Sequence, residues 1–139
     1  MFWEDKLSIA LNVEIDNRLA WSSLRDVLVG MELFISHEGQ AEIRGGMPLS
    51  NMYVVAEVVN DPSRMHPVTE GADFAKDWVI GTRVGFYYVM SQYDQCSLEM
   101  NQFISKLMEV SDAYFIVAFE NEKILAVRDQ DGLRVLDKF

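Results

Sequence analysis

Tyr114 to Leu136 reads YFIVAFENEKILAVRDQDGLRVL. Three apolar runs of strand length, Tyr114–Phe119, Lys123–Arg128 and Leu133–Leu136, are separated by Glu120-Asn121-Glu122 and Asp129-Gln130-Asp131-Gly132. Both separators are polar and turn-forming. A parallel pair needs a crossover of about a dozen residues or more, and these links are far shorter. The three runs therefore pair antiparallel, and an antiparallel sheet organises the rest of the chain.

Before this meander, the segment after Cys96 has helical spacing. Ser97 is placed to cap it, Glu99 suits its first turn, and Met100, Phe103, Ile104 and Leu107 form one apolar stripe. Arg83 to Ser91 reads as a strand, and 74–80 fits either a short helix or a strand. Asn60 to Asp73, with Pro62, His66, Pro67 and Gly71, is the longest irregular segment, a length often associated with function or mobility. Tyr53 to Val59 is rich in β-branched residues and predicts a strand buried on both faces. Gly45-Gly46-Met47-Pro48 predicts a break. Residues 32–36 and 41–44, joined by His37-Glu38-Gly39-Gln40, predict a hairpin.

Further back, Trp21, Leu24, Val27, Leu28 and Met31 recur at helical spacing, with Asp16 or Asn17 as cap and Gly30 as stop. In 6–15, Leu7, Ile9, Leu11, Val13 and Ile15 alternate with polar or small residues, which predicts a strand with one buried face. The order is β-α-β-β-β-loop-β-α-β-β-β. It predicts one α+β domain over 1–139, an antiparallel or mixed β-sheet with two main helices packed on one face. Leu24 to Ile43 and Phe103 to Leu125 share a helix, strand, acidic turn, strand pattern. That is read as a common motif in preference to a duplication.

Composition narrows function. The chain has 139 residues, 22 acidic and 12 basic, a net charge of −10, and 50% hydrophobic residues. It is long enough for one core without a disulfide or metal staple, and too apolar for disorder. The charge argues against nucleic acid and against anionic membranes. No window approaches the ~20 apolar residues of a membrane span. Met1 to Lys6 lacks the pattern of a signal peptide. One cysteine, Cys96, excludes an internal disulfide, so the expected location is cytoplasmic.

No catalytic, cofactor or metal site is assigned. His37 and His66 lack the spacing of metal ligands and read as loop residues. Cys96 has Asp94 and Glu99 near it in sequence, which oppose a thiolate. The Asp129 loop begins like a calcium loop, but its twelfth position falls past Phe139. The glycines at 39, 45 and 46 do not match a nucleotide-binding loop.

The charge distribution is more informative. Between residues 94 and 122 one lysine, Lys106, stands against six acids: Asp94, Glu99, Glu109, Asp112, Glu120 and Glu122. The local net charge is −5, half the total. With Tyr114 and the flanking Tyr93 and Phe119, these residues predict an acidic, aromatic-edged patch for a protein partner with a basic surface. In general character such a chain is similar to immunity proteins, which neutralise toxins by covering their active sites. The similarity is compositional and implies an inhibitor, not an enzyme. One alternative is a dimeric secretion chaperone, with eight methionines as an adaptable surface. Another is a small-ligand protein or enzyme with His66, Arg64 and Arg83 around the 60–73 loop.

Overall fold

The computed structural model describes residues 8–139. Lys6 and Leu7, the start of the first predicted strand, lie outside the described residues. The elements are β1 (Ser8–Asp16), α1 (Trp21–Gly30), β2 (Phe34–Glu38), β3 (Glu42–Gly46), β4 (Tyr53–Val58), β5 (Ile80–Val89), α2 (Tyr93–Val110), β6 (Phe115–Phe119), β7 (Lys123–Asp129) and β8 (Gly132–Val135). They form one α+β unit around an eight-stranded sheet in the order β2-β3-β4-β5-β1-β6-β7-β8. Every pairing is antiparallel.

The alternation along β1 decides which way the sheet faces. Leu11, Val13 and Ile15 lie in register with Phe86, Val84 and Thr82 of β5 and with Phe119, Val117 and Phe115 of β6. This face meets the stripes of both helices, Leu24, Val27 and Leu28 from α1 and Met100, Phe103, Ile104 and Leu107 from α2, in one core. Phe86 and Phe103 pack edge to face at 4.8 Å between ring centres.

The opposite face is covered in part by residues 60–79. Two short 3-10 turns, Pro62–Arg64 and Asp73–Ala75, shape this segment. Ala72, Ala75 and Trp78 pack there on Ile116 and Ile124. That cover explains why Glu14 and Asp16 are buried along with Leu11, Val13 and Ile15, where alternation alone predicts one buried face. Of residues 74–80, only 74–75 are helical, in the second 3-10 turn, and only Ile80 belongs to a strand, β5; 76–79 are irregular.

Several local expectations change for identifiable reasons. Gly45-Gly46 does not break the chain but ends β3. A Cβ on Gly45 would lie 2.4 Å from the Phe34 carbonyl oxygen, so glycine lets β2 come close beside its bulge between Ile35 and His37. Gly45→Ala is expected to destabilise the fold by about 1–3 kcal/mol, measured by urea denaturation; unchanged stability would contradict the close approach. Tyr53 is exposed while Val54 and Ala56 are buried, so β4 has one buried face. Asp16 does not cap α1, because its carboxylate accepts from the Arg18 guanidinium at 2.6 and 2.9 Å and from the Arg18 N–H. Helix α1 starts after Ala20 with no side-chain cap. Helix α2 starts at Tyr93, which leaves Ser97 inside it. Helix α1 does stop at Gly30, and the left-handed residue of its exit is Glu32.

The two halves share an element order but not an arrangement. After α1 the chain enters at the sheet edge, β2, and steps inward to β4. After α2 it enters beside β1, at β6, and steps outward to β8. That is two uses of a motif, not two equivalent copies.

Candidate binding face

The uncovered half of the outer sheet face carries a row of paired residues across five strands: Phe34, Gly46, Tyr53, Tyr87 and Ala10. Residues paired in an antiparallel ladder share a face, so three aromatic rings stand on one surface. Phe34 is 77% exposed, Tyr53 41% and Tyr87 40%. The two tyrosine rings lie 6.1 Å apart. Glycine at 46 leaves the space between Phe34 and Tyr53 open.

The neighbouring row runs His37, Arg44, Val55, Gly85, Asn12 and Ala118. Gly85 makes the floor of a shallow depression of about 240 Å³ beside Asn12, Glu57, Tyr87 and Asn121. A Cβ there would meet the Tyr87 ring at 3.3 Å. Arg44 pairs with Glu42. Glu42, and after it the Tyr53 phenol, hold the Arg44 guanidinium above its ordinary pKa range.

Glu14 and Arg83 build the border with the 60–79 segment. Glu14 is fully buried. Its carboxylate accepts from the Val68 N–H (3.0 Å), the Thr69 N–H (3.0 Å), the Thr69 hydroxyl (2.5 Å) and Arg83 Nε and Nη2 (3.0 and 2.9 Å). Arg83 also donates to the His66 carbonyl oxygen at 2.9 Å. Arg64 pairs with Glu57 at 2.5 Å. Both arginines considered for a ligand near this loop are thus committed to carboxylates, and His66 contributes its backbone, with its side chain on an exposed residue.

At its β1 end the aromatic row runs into the β6–β7 turn. The Glu120 N–H donates to the Ala10 carbonyl at 2.9 Å, and the Ala10 N–H donates to Glu120 Oε1 at 3.3 Å. Glu120 and Asn121 have φ of 53° and 60°, and the Glu122 N–H donates to the Phe119 carbonyl at 2.8 Å. This is a type I′ turn with no glycine. Glutamate in the left-handed region costs on the order of 1 kcal/mol. The double change Glu120→Asn, Asn121→Gly supplies the preferred pair and is expected to raise stability by about 1 kcal/mol in denaturant unfolding. A loss of stability would show that the turn is held by more than its local conformation. The Glu70 N–H donates to the Asn121 carbonyl at 2.8 Å, which brings a further exposed acid to Glu120 and Glu122.

The acids singled out in the sequence do not form one patch. Glu120 and Glu122 are exposed at the turn, and Asp94 is exposed in the first turn of α2 at the same end, where Tyr93 and Phe119 line one cavity. Glu109, Asp112 and Tyr114 lie at the far end of α2, whose 18 residues span roughly 27 Å. Asp112 has a 99% exposed side chain 3.7 Å from Arg128. Tyr114 is half-buried, with the Arg18 guanidinium 3.6 Å over its ring and Trp78 5.3 Å away. Hydrogen bonding to Asp16 raises the Arg18 pKa further above its ordinary range. Glu99 leaves the surface altogether: it is buried, and its carboxylate accepts from the Leu49 and Ser50 N–H groups at 3.1 Å each.

Cys96 is buried, and His37 is exposed on the open face. Among the described residues no group of three or more His, Cys, Asp or Glu is placed to hold a metal ion, and no helix is long and apolar enough to cross a membrane. The sequence reading missed Phe34, Tyr53 and Tyr87. A signal was present for Tyr87: in Phe86-Tyr87-Tyr88 a strand must turn at least one ring away from the core, whatever its register. No protein-family model, curated protein or solved structure matches the chain.

Proposed function

We propose that this protein is a stoichiometric inhibitor of another protein. It receives a partner with a basic surface on the open sheet face and the Glu120–Glu122 turn, and occludes the partner's active site. The observation that carries this reading is the row of exposed rings, Phe34, Tyr53 and Tyr87, running in register into an acidic turn. Aromatic anchors supply buried contact area, and acids beside them steer a cationic partner and fix its orientation. A bacterial immunity-type role in the cytoplasm, against a nuclease-like toxin with a basic cleft, is the specific form proposed. Escort of a secreted client loses its main support, because Met31, Met47, Met52 and Met100 are buried in the core. The test is titration of a purified partner. One equivalent is expected to abolish its activity, with an association rate that falls as salt rises. Binding without inhibition, or a rate indifferent to salt, would overturn the occlusion or the electrostatic part respectively.

A further inference from the structure

The depression of about 240 Å³ on the open sheet face sits where the aromatic row meets the acidic turn. Gly85 decides its shape. A Cβ at 85 would come 3.3 Å from Tyr87 Cε2 and 3.6 Å from the Tyr87 hydroxyl oxygen. The ring therefore leans back along β5 over the bare backbone of residue 85. Tyr87 is still exposed, so the far side of its ring is left to solvent. Asn12 pairs with Gly85 across the β1–β5 ladder, and its Oδ1 would lie 3.6 Å from the same Cβ. Asn121 lines the hollow from the β6–β7 turn, and both asparagines are half-buried. Neither side-chain amide has a hydrogen-bond partner among the described residues, and each can turn its oxygen toward a donor.

The cations around the hollow are matched pair by pair. Arg83 is held by Glu14, Arg64 by Glu57 and Arg44 by Glu42, so these six groups sum to zero. Three acids remain on the Asn121 side: Glu120 and Glu122, which flank it in the chain, and Glu70, whose N–H donates to its carbonyl. None of the three forms an ion pair among the described residues. The Glu120 carboxylate is placed by a contact: its Oε1 accepts from the Ala10 N–H at 3.3 Å, and Ala10 stands directly across from Tyr87 in the ladder. A ring face, two unsatisfied amides and a carboxylate without a cation thus lie together.

We propose that this hollow receives an arginine side chain and, resting on the inhibitor reading above, that the arginine is the partner's. A guanidinium is planar, carries five donors and is more weakly hydrated than an ammonium. It stacks on the Tyr87 ring, donates at its edge to the Asn12 and Asn121 oxygens, and sets its charge beside Glu120. Lysine supplies the charge without the plane or the fork of donors. A neutral polar group, a sugar included, meets the ring and the amides but leaves Glu120 without a counter-charge.

The probes are acetyl-Gly-Arg-Gly-amide, the same peptide with lysine or citrulline in place of arginine, and methyl β-glucoside, followed by backbone and side-chain amide NMR shifts of the whole protein. The arginine peptide is expected to bind with a Kd on the order of 1–10 mM and to shift Gly85 and the Asn12 and Asn121 side-chain amides. Lysine should bind roughly two- to threefold more weakly, and citrulline and the glucoside roughly fivefold or more. Glu120→Gln should weaken the arginine peptide roughly threefold and leave the citrulline peptide unchanged. Tyr87→Leu, which still covers Gly85 but removes the ring, should abolish the preference for arginine over lysine. No saturable shift with tens of millimolar arginine peptide, shifts centred elsewhere, or citrulline, lysine or glucoside binding as well as arginine would each overturn the assignment. Such a result, with a partner still captured through Tyr87, would leave the interface standing. Arginine selectivity with no partner captured would instead keep the hollow's preference and remove the inhibitor reading on which its natural occupant rests.

Discussion

Glu14→Ala is expected to remove about 3–5 kcal/mol from the free energy of unfolding, the usual result of deleting one member of a buried pair. The carboxylate is fully buried and holds Arg83, two backbone N–H groups and the Thr69 hydroxyl. Without it, a mostly buried guanidinium loses its counter-charge and the 60–79 segment loses its anchor on the sheet. The loss approaches the whole stability of an ordinary domain. Glu14→Gln should fall between, since the amide oxygen accepts some of the same bonds but carries no charge. Adding Arg83→Met to Glu14→Ala should recover part of the loss, because no cation is then left unpaired. Urea midpoints of the four proteins check this. A loss below about 1 kcal/mol for Glu14→Ala would mean that water replaces the carboxylate at little cost.

Tyr87→Ala should have the largest effect on partner binding. Its ring sits between Tyr53 and the acidic turn, near the middle of the proposed face, where binding energy concentrates. Truncation of such an anchor costs about 2–4 kcal/mol, or roughly 30- to 1,000-fold in Kd. Because the residue is exposed on the sheet surface, unfolding stability should change far less than affinity. Phe34→Ala, at the edge strand, should cost less. Equal affinity for Tyr87→Ala and the parent protein would remove the open face from the interface.

The sequence made the element order and the hairpins legible because they depend on local signals: alternation, helical spacing and short polar links. Strand order was not legible. Whether β2 lies at the edge or beside β1 depends on long-range packing, which no local pattern encodes. The cap at Asp16 failed for a local reason instead: Arg18, two residues on, captures the carboxylate. The acidic segment was legible as charge but not as a surface. Sequence distance from Asp94 to Asp112 follows a helix that carries the two to opposite ends of the molecule, and a helix stripe turns Glu99 inward onto the Leu49–Ser50 backbone. Glu14 read as the polar half of an alternating strand. Its burial depends on a segment more than fifty residues later in the chain.

The claim at the centre is that the aromatic row and the acidic turn form one interface. The most direct measurement is parallel capture from the source cell with tagged parent protein and with the Tyr87→Ala, Glu120→Lys variant, quantified by mass. The account predicts one protein with a basic surface, recovered near one-to-one with the parent and lost with the variant while the variant's fold is intact. Recovery of the same protein in the same amount with both baits would contradict it.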